Sequence, residues 1–147
     1  MSNTNYTMDQ LLQMVQEKAQ EYKVNRITSA SDVYSLLYEY AKKDKEHFLI
    51  VTLDGSSKII EHRVIHIGTL NQSIVHPREV FRPAIQDNAA GAIIAHNHPS
   101  GTLEASRADI QITQRLKEVS KLVGIELLDH VILSKEGYYS FSDEGLL

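Results

Sequence analysis

Residues 91–95 and the residues that follow them constrain this chain more than any other segment. Five small apolar residues in succession predict a buried strand. His96 and His98 come next, and side chains two residues apart in an extended backbone point to the same side. Pro99 cannot donate to a strand ladder, so it ends the strand. The sequence therefore predicts two imidazoles that leave the end of a core strand side by side.

A carboxylate follows these histidines at the start of a predicted helix. Ser106 is the predicted N-cap of that helix, and Asp109 lies in its first turn. Two imidazole nitrogens and one carboxylate oxygen are the ligand set of a catalytic zinc site that keeps one position open for water. We therefore predict that His96, His98 and Asp109 bind Zn²⁺. The alternative is that Asp109 only completes a capping box with Ser106.

A zinc hydrolase also needs a carboxylate that takes a proton from the attacking water. Glu46 is the best candidate because it lies at the junction of a predicted helix and a predicted strand. Glu61, in the middle of a predicted strand, and Glu79, in the first turn of a predicted helix, are the alternatives. The sequence leaves this choice open.

Composition restricts both the class of protein and the chemistry of its site. The 147 residues are 42% hydrophobic and 23% charged, as in a one-domain globular protein. The absence of cysteine excludes disulfides, thiolate ligands and cysteine nucleophiles, and it fits a reducing cytoplasm. A net charge of −4 argues against binding to nucleic acid through neutralised phosphates. Because no apolar run approaches the ~20 residues that span a bilayer, we expect a cytoplasmic protein without membrane contact.

The hydrophobic periodicity predicts an α/β domain with a mixed sheet and flanking helices. The predicted helices cover residues 7–22, 31–43, 77–88 and 107–122. The predicted strands cover 48–53, 58–67, 73–75, the segment before the histidines, 125–133 and 138–141. The first helix, which begins with a capping box of Thr7 and Gln10, is predicted as an extension to the core domain. The predicted division is therefore 1–28 for the N-terminal helical extension and 29–147 for the domain.

Several separated motifs resemble one known family. The stretch His96-Asn97-His98-Pro99-Ser100-Gly101, followed by Ser106-Arg107-Ala108-Asp109, resembles the JAMM motif of JAB (MPN-plus) metalloproteases in the form found in their RadC branch. The resemblance covers roughly residues 29 to 141. It implies a single JAB/MPN-like domain, similar to cytidine deaminases, with a mixed central sheet. Segments that agree in order are Glu46-His47-Phe48, Leu53-Asp54, Gly68-Thr69-Leu70, His76-Pro77-Arg78-Glu79 and Asp129-His130.

The resemblance implies a role for each candidate residue. It makes His96, His98 and Asp109 the ligands of Zn²⁺, and Glu46 the residue that polarises the bound water. It gives Ser106 the role of stabilising the oxyanion, against the alternative that this serine is a helix cap alone. It implies hydrolysis of a peptide or isopeptide bond in a protein or peptide substrate, with ubiquitin-like modifiers among the substrates of the superfamily.

A DNA-linked role is the main alternative to peptide hydrolysis. RadC proteins carry a DNA-repair label, but this chain has no room for the helix-hairpin-helix region that usually precedes their JAB domain. We therefore expect no nucleic-acid binding through this chain alone. The alternative function is a metal-binding, catalytically weak RadC-family module that acts through protein partners in DNA repair or in mobile elements. An HNH nuclease is disfavoured, because its three named residues are not adjacent in sequence.

Two further residues carry weaker expectations. Asn97 lies between the two histidines and should therefore point away from the metal and brace the neighbouring loop. His130 is expected to be an ordinary surface histidine, with a supporting contact to a metal ligand as the alternative. The sequence does not indicate an oligomeric state.

Overall fold

The computed structural model describes residues 5–21, 24–71 and 73–147, with side chains given for all of these except 16–21. These ranges contain four helices and five strands. In chain order the elements are α1 Met8–Glu21, α2 Ala30–Ala41, β1 His47–Leu53, β2 Ile59–Ile67, α3 Pro77–Gln86, β3 Gly91–Asn97, α4 Arg107–Val123, β4 Glu126–Ser134 and β5 Gly137–Ser140.

The strands form one mixed sheet in the order β2-β1-β3-β4-β5. β1 pairs antiparallel with both β2 and β3, β3 pairs parallel with β4, and β5 returns antiparallel along β4. The parallel pair is connected by α4, as a crossover between parallel strands requires. The α/β class and the mixed sheet predicted from the sequence are confirmed.

Helices cover both faces of the sheet. α3 and α4 pack on one face around Phe48, Ile50 and Ile94, and α2 packs on the other face around Leu49 and Val51. Every residue of β3 is buried, and so are six of the seven residues of β1. Strands buried on both faces are apolar almost throughout, which explains why the segment before the histidines lacks an alternating pattern.

Helix ends follow the signals in the sequence. The backbone N–H of Thr7 donates to the Gln10 side chain and that of Gln10 donates to the Thr7 hydroxyl, which confirms the predicted capping box of α1. The predicted end of α1 at Tyr22 lies outside the described residues. α4 ends at Gly124, whose φ of 76° is the left-handed conformation that glycine adopts most easily.

The predicted strand at residues 73–75 is wrong, because this segment forms a turn. The side-chain oxygen of Asn71 accepts hydrogen bonds from the backbone N–H groups of Ser73 and Ile74, at 3.0 and 3.1 Å. Asparagine bonds of this kind replace a strand ladder with a local turn. No helix in the described ranges has the length and apolar character that crossing a bilayer requires.

Candidate metal centre

His96 and His98 lie at the end of β3, where the central strand leaves the sheet. The side chain of His96 is fully buried and that of His98 is 11% exposed. Their Nε2 atoms are 2.8 Å apart. The predicted side-by-side placement of the two imidazoles is therefore present, with one ring inside the core and the other at its surface.

Asp109 approaches both histidines from the first turn of α4. Its Oδ1 lies 3.2 Å from Nε2 of His96, and its Oδ2 lies 3.3 Å from Nε2 of His98. The same Oδ2 accepts a 2.8 Å hydrogen bond from the backbone N–H of Ser106, so the carboxylate also completes the capping box. Capping the helix and facing the imidazoles are thus compatible, although the sequence had presented them as alternatives.

The hydrogen bonds around His98 leave its Nε2 available to a metal. Nδ1 of His98 lies 2.7 Å from the backbone oxygen of Thr102, and a carbonyl oxygen can only accept. In the neutral ring the proton is therefore on Nδ1, and Nε2 carries a lone pair directed at His96 and Asp109. Two imidazole nitrogens and a carboxylate that face one point form a donor set suited to a divalent cation such as Zn²⁺.

Glu46 is the glutamate that the fold brings to this centre. Glu46, His96 and His98 each present a ligand atom within 4.8 Å of the others, so these three form a candidate metal-binding group. Asp109 lies 3.2 and 3.3 Å from the two histidine nitrogens, so the fold brings two carboxylates, those of Asp109 and Glu46, to the imidazoles. The two alternative candidates for the proton acceptor are on the surface: Glu61 is exposed on β2, and the Glu79 side chain is 56% exposed on α3.

Two loops around Glu46 hold its position. The backbone N–H of Leu70 donates to Oε2 of Glu46 at 3.2 Å, and that of Gly68 donates to the Glu46 carbonyl at 2.8 Å. The Asn97 side chain accepts a hydrogen bond from the backbone N–H of His47 and donates to the Lys45 carbonyl. Asn97 therefore points away from the metal centre and braces the neighbouring segment, as the sequence indicated.

An open cleft of about 620 Å³ lies over these groups. It is lined by the segments that contain Glu46, Thr69, His98 and Ser106. The Ser106 hydroxyl oxygen accepts the Asp109 backbone N–H at 3.0 Å, which leaves its own proton free to donate into the cleft. A ligand in this cleft would contact His98, Glu46 and Ser106 together.

Comparisons with known proteins agree with this geometry. The family model described as "RadC-like JAB domain" matches residues 27–146. The chain belongs to the RadC-like JAB domain family. The resemblance stated from the motifs is confirmed, and the five-stranded mixed sheet with its flanking helices is consistent with a JAB/MPN-like domain.

Three curated relatives illustrate the similarity. A UPF0758 protein of Rubrobacter xylanophilus is 49% identical over 122 residues, which are 82% of this chain and 53% of that protein. A UPF0758 protein of Methanosarcina mazei is 46% identical over 123 residues, or 83% of this chain and 54% of the relative. One from Geobacter sulfurreducens is 47% identical over 124 residues, with the same coverage of 83% and 54%. The chain spans about half the length of the curated relatives that it matches.

The electrostatics of this JAB domain centre on Asp109. Burial alone would raise the pKa of Asp109, but hydrogen bonds with His96 and His98 outweigh burial and hold this pKa well below its ordinary value. Burial lowers the pKa of His98, whereas its hydrogen bonds with Asp109 and Thr102 raise it, and the net direction is upward. Asp109 is therefore ionised at neutral pH, as a carboxylate that binds a cation must be.

The expectation that His130 is a surface histidine is wrong. Its side chain is 1% exposed, its ring stacks on Phe141 at 4.5 Å between centroids, and its Nε2 lies 2.8 Å from Nδ1 of His96. The signal was present in the sequence, since the three apolar residues after it, 131–133, predict a buried strand. Sequence reasoning also missed Thr113, whose hydroxyl oxygen lies 2.5 Å from Nδ1 of His130. Thr113 lies four residues after Asp109 and thus on the same helix face.

Proposed function

We propose that this RadC-like JAB domain is a zinc-dependent hydrolase that cleaves peptide or isopeptide bonds. The observation that carries the proposal is the convergence of His96, His98 and Asp109 within 3.3 Å of one another, with Glu46 beside them at an open cleft. His96, His98 and Asp109 would hold the metal. Membership of the JAB family supports this chemistry.

The position of each candidate site residue suggests its role in the reaction. A bound Zn²⁺ would supply Lewis acidity, since it lowers the pKa of a coordinated water toward ~7 and polarises a carbonyl group. Glu46 accepts the proton of the attacking water and passes it to the leaving amine. The Ser106 hydroxyl donates a hydrogen bond to the oxygen on which negative charge develops.

The substrate in this proposal is a protein or peptide that enters the cleft as an extended segment, and a ubiquitin-like modifier belongs to this class. The cytoplasmic location predicted from the sequence is part of the same proposal, because ubiquitin-like modifiers are intracellular proteins. Nucleic acid is not a proposed partner of this chain alone, since its net charge is −4.

A peptidase assay on the zinc-loaded chain tests this function. The panel consists of ubiquitin-like proteins with C-terminal extensions and of isopeptide-linked conjugates, and we expect at least one to be cleaved. Glu46→Gln should retain zinc and lose turnover by at least about 10²-fold, because the proton acceptor is gone. Glu79→Gln is the matched control, since Glu79 is exposed on α3 and should leave both quantities unchanged.

Two results would contradict the proposal. Normal turnover in Glu46→Gln would remove Glu46 from the mechanism. Zinc binding without cleavage of any substrate, in a wild-type chain that is folded, would favour the alternative of a metal-binding module that acts through protein partners.

A further inference from the structure

A buried chain of side chains connects His96 with the backbone of Asp109. Nδ1 of His96 lies 2.8 Å from Nε2 of His130, and Nδ1 of His130 lies 2.5 Å from Oγ1 of Thr113. Oγ1 of Thr113 in turn lies 2.7 Å from the backbone oxygen of Asp109. His96, His130, Thr113 and Asp109 are each at most 3% exposed, so water does not compete for these bonds.

The Asp109 carbonyl, at one end of this hydrogen-bonded network, fixes the donor and acceptor of each bond. The Asp109 carbonyl oxygen can only accept, so the single hydroxyl proton of Thr113 is donated to it. Oγ1 of Thr113 must then accept from Nδ1–H of His130. A neutral imidazole carries one proton, which leaves Nε2 of His130 as an acceptor.

The same logic assigns the proton on His96. Because Nε2 of His130 accepts, Nδ1 of His96 must donate, and in the neutral ring Nε2 of His96 has a free lone pair. We propose that His130 and Thr113 are positioning residues that fix the tautomer of His96, so that its Nε2 faces the metal position. This inference rests on the proposed metal centre, and neither residue touches the metal or the substrate.

The two ends of this hydrogen-bonded network meet at the proposed metal position. The network leaves His96 on β3, passes through His130 on β4 and Thr113 on α4, and returns through Asp109, whose Oδ1 lies 3.2 Å from Nε2 of His96. Two proposed ligands on different elements are therefore oriented by one shared network. Phe141 stacks on His130 with an interplanar angle of 16° and holds the plane of its ring.

The tautomers can be measured without any metal or substrate. In ¹⁵N-histidine-labelled, metal-free protein, long-range ¹H–¹⁵N NMR correlations distinguish Nδ1–H from Nε2–H. We expect His130 to carry its proton on Nδ1 with a bare Nε2, and His96 to carry a proton on Nδ1. A proton on Nε2 of His130 would overturn the proposal.

The contribution to metal binding is measured by zinc affinity in competition with a chelator. Thr113→Val keeps the shape of the side chain but removes the hydroxyl, so His130 loses its fixed proton and affinity should fall by about 10- to 100-fold. Thr113→Ser restores the hydroxyl and should restore the affinity. Ser120→Ala is the matched control, because Ser120 is another buried residue of α4 and its hydroxyl donates to the Lys117 carbonyl. Unchanged affinity in a folded Thr113→Val variant would overturn the proposal.

If Thr113→Val fails to fold, the tautomers of the wild type and of Thr113→Ser decide the question, because both carry the hydroxyl and must show the same pattern. The outcomes also separate this inference from the proposed function. A protein with the expected tautomers and zinc affinities that cleaves no peptide contradicts the proposed function and supports the network. A protein that cleaves peptides but has the opposite His130 tautomer supports the proposed function and contradicts the network.

Discussion

The side-chain oxygen of Asn97 accepts a 2.6 Å hydrogen bond from the backbone N–H of His47. The Asn97 amide also donates to the carbonyl oxygens of Lys43 and Lys45, at 3.3 and 2.9 Å. Asn97 thus ties the segment that carries Glu46 to the strand end that carries His96. This amide therefore contributes to the separation between the proposed base and the proposed metal ligands, together with the backbone bonds of Gly68 and Leu70 to Glu46.

Replacing Asn97 should therefore affect turnover more than metal binding. Asn97→Ala removes three hydrogen bonds from the buried Asn97 side chain to the backbone of Lys43, Lys45 and His47, and we expect unfolding free energy to fall by about 1–3 kcal/mol. Misplacement of Glu46 should lower kcat by up to about 10²-fold, whereas zinc affinity stays near that of the wild type. Urea unfolding, zinc titration and the peptidase assay measure the three quantities. An unchanged kcat would mean that Glu46 holds its position without Asn97.

Asp109→Asn separates metal binding from helix capping. The side-chain oxygen of asparagine can accept the Ser106 backbone N–H as the carboxylate does, so the capping box should survive. The loss of the negative charge should lower zinc affinity by at least about 10-fold, because carboxylates bind Zn²⁺ far better than amides do. Elemental analysis of protein purified without a histidine tag measures bound zinc. Full zinc content in this variant would show that Asp109 is a cap alone, and Asp143→Asn, at an exposed carboxylate, is the control.

Ser106 combines a helix cap with the proposed oxyanion donor, and two substitutions separate these roles. Ser106→Ala should cost about 1 kcal/mol of stability, whereas Ser106→Gly should cost only a few tenths, because glycine is tolerated at N-cap positions. Both variants lack the hydroxyl, so both should lower kcat by a similar factor of roughly 10². Thermal unfolding and the peptidase assay supply the measurements. If kcat instead followed stability across the two variants, Ser106 would act as a cap only.

The ion pair of Arg63 and Asp87 predicts a pH dependence of stability remote from the metal centre. Hydrogen bonds from Arg63 lower the pKa of Asp87 below its ordinary value of 3.8, although burial opposes them. Because the folded pKa is the lower one, this contribution is present above the unfolded pKa and is lost as the pH falls through the folded value. Asp87→Asn should therefore cost about 1–2 kcal/mol at neutral pH, with the Arg63 side chain partly exposed.

Urea unfolding of wild type and Asp87→Asn between pH 7 and pH 3 checks this prediction. The difference in unfolding free energy should shrink at the acidic end, below the ordinary pKa of 3.8, because the carboxyl of the unfolded chain is protonated there. Glu79→Gln provides the comparison, since the Glu79 carboxylate lies 3.7 Å from Arg78 in an exposed pair and should contribute little at any pH. A difference that stayed constant down to pH 3 would contradict the assigned cause.

The sequence was most informative where local signals and burial agreed. The apolar run before His96 predicted a buried strand, and Ser106 with Asp109 predicted a capped helix, because such patterns depend on few neighbours. The strand predicted at residues 73–75 was wrong, because the Asn71 side chain bonds the following backbone and favours a turn. Element type was therefore predictable, except where one polar side chain redirected the backbone.

The site was predictable only in part, for a physical reason. His96, His98 and Asp109 lie within fourteen residues of one another, so their spacing alone suggested a shared centre. Glu46 could not be chosen over Glu61 and Glu79 from local pattern, because its position depends on the pairing of β1 with β3. The contact between His130 and His96 likewise depends on the parallel pairing of β3 with β4, which joins residues 34 positions apart.

β3 presents its last residues to opposite faces of the sheet, with His96 directed toward the α3/α4 side and Asn97 toward the α2 side. Loss or gain of a single residue within this strand would exchange the two faces. His96 and Asn97 would then each lie on the other face, so the proposed cation position and the contacts of Asn97 with the Glu46 segment would be lost together. We therefore expect the interior of this strand to tolerate no change of length.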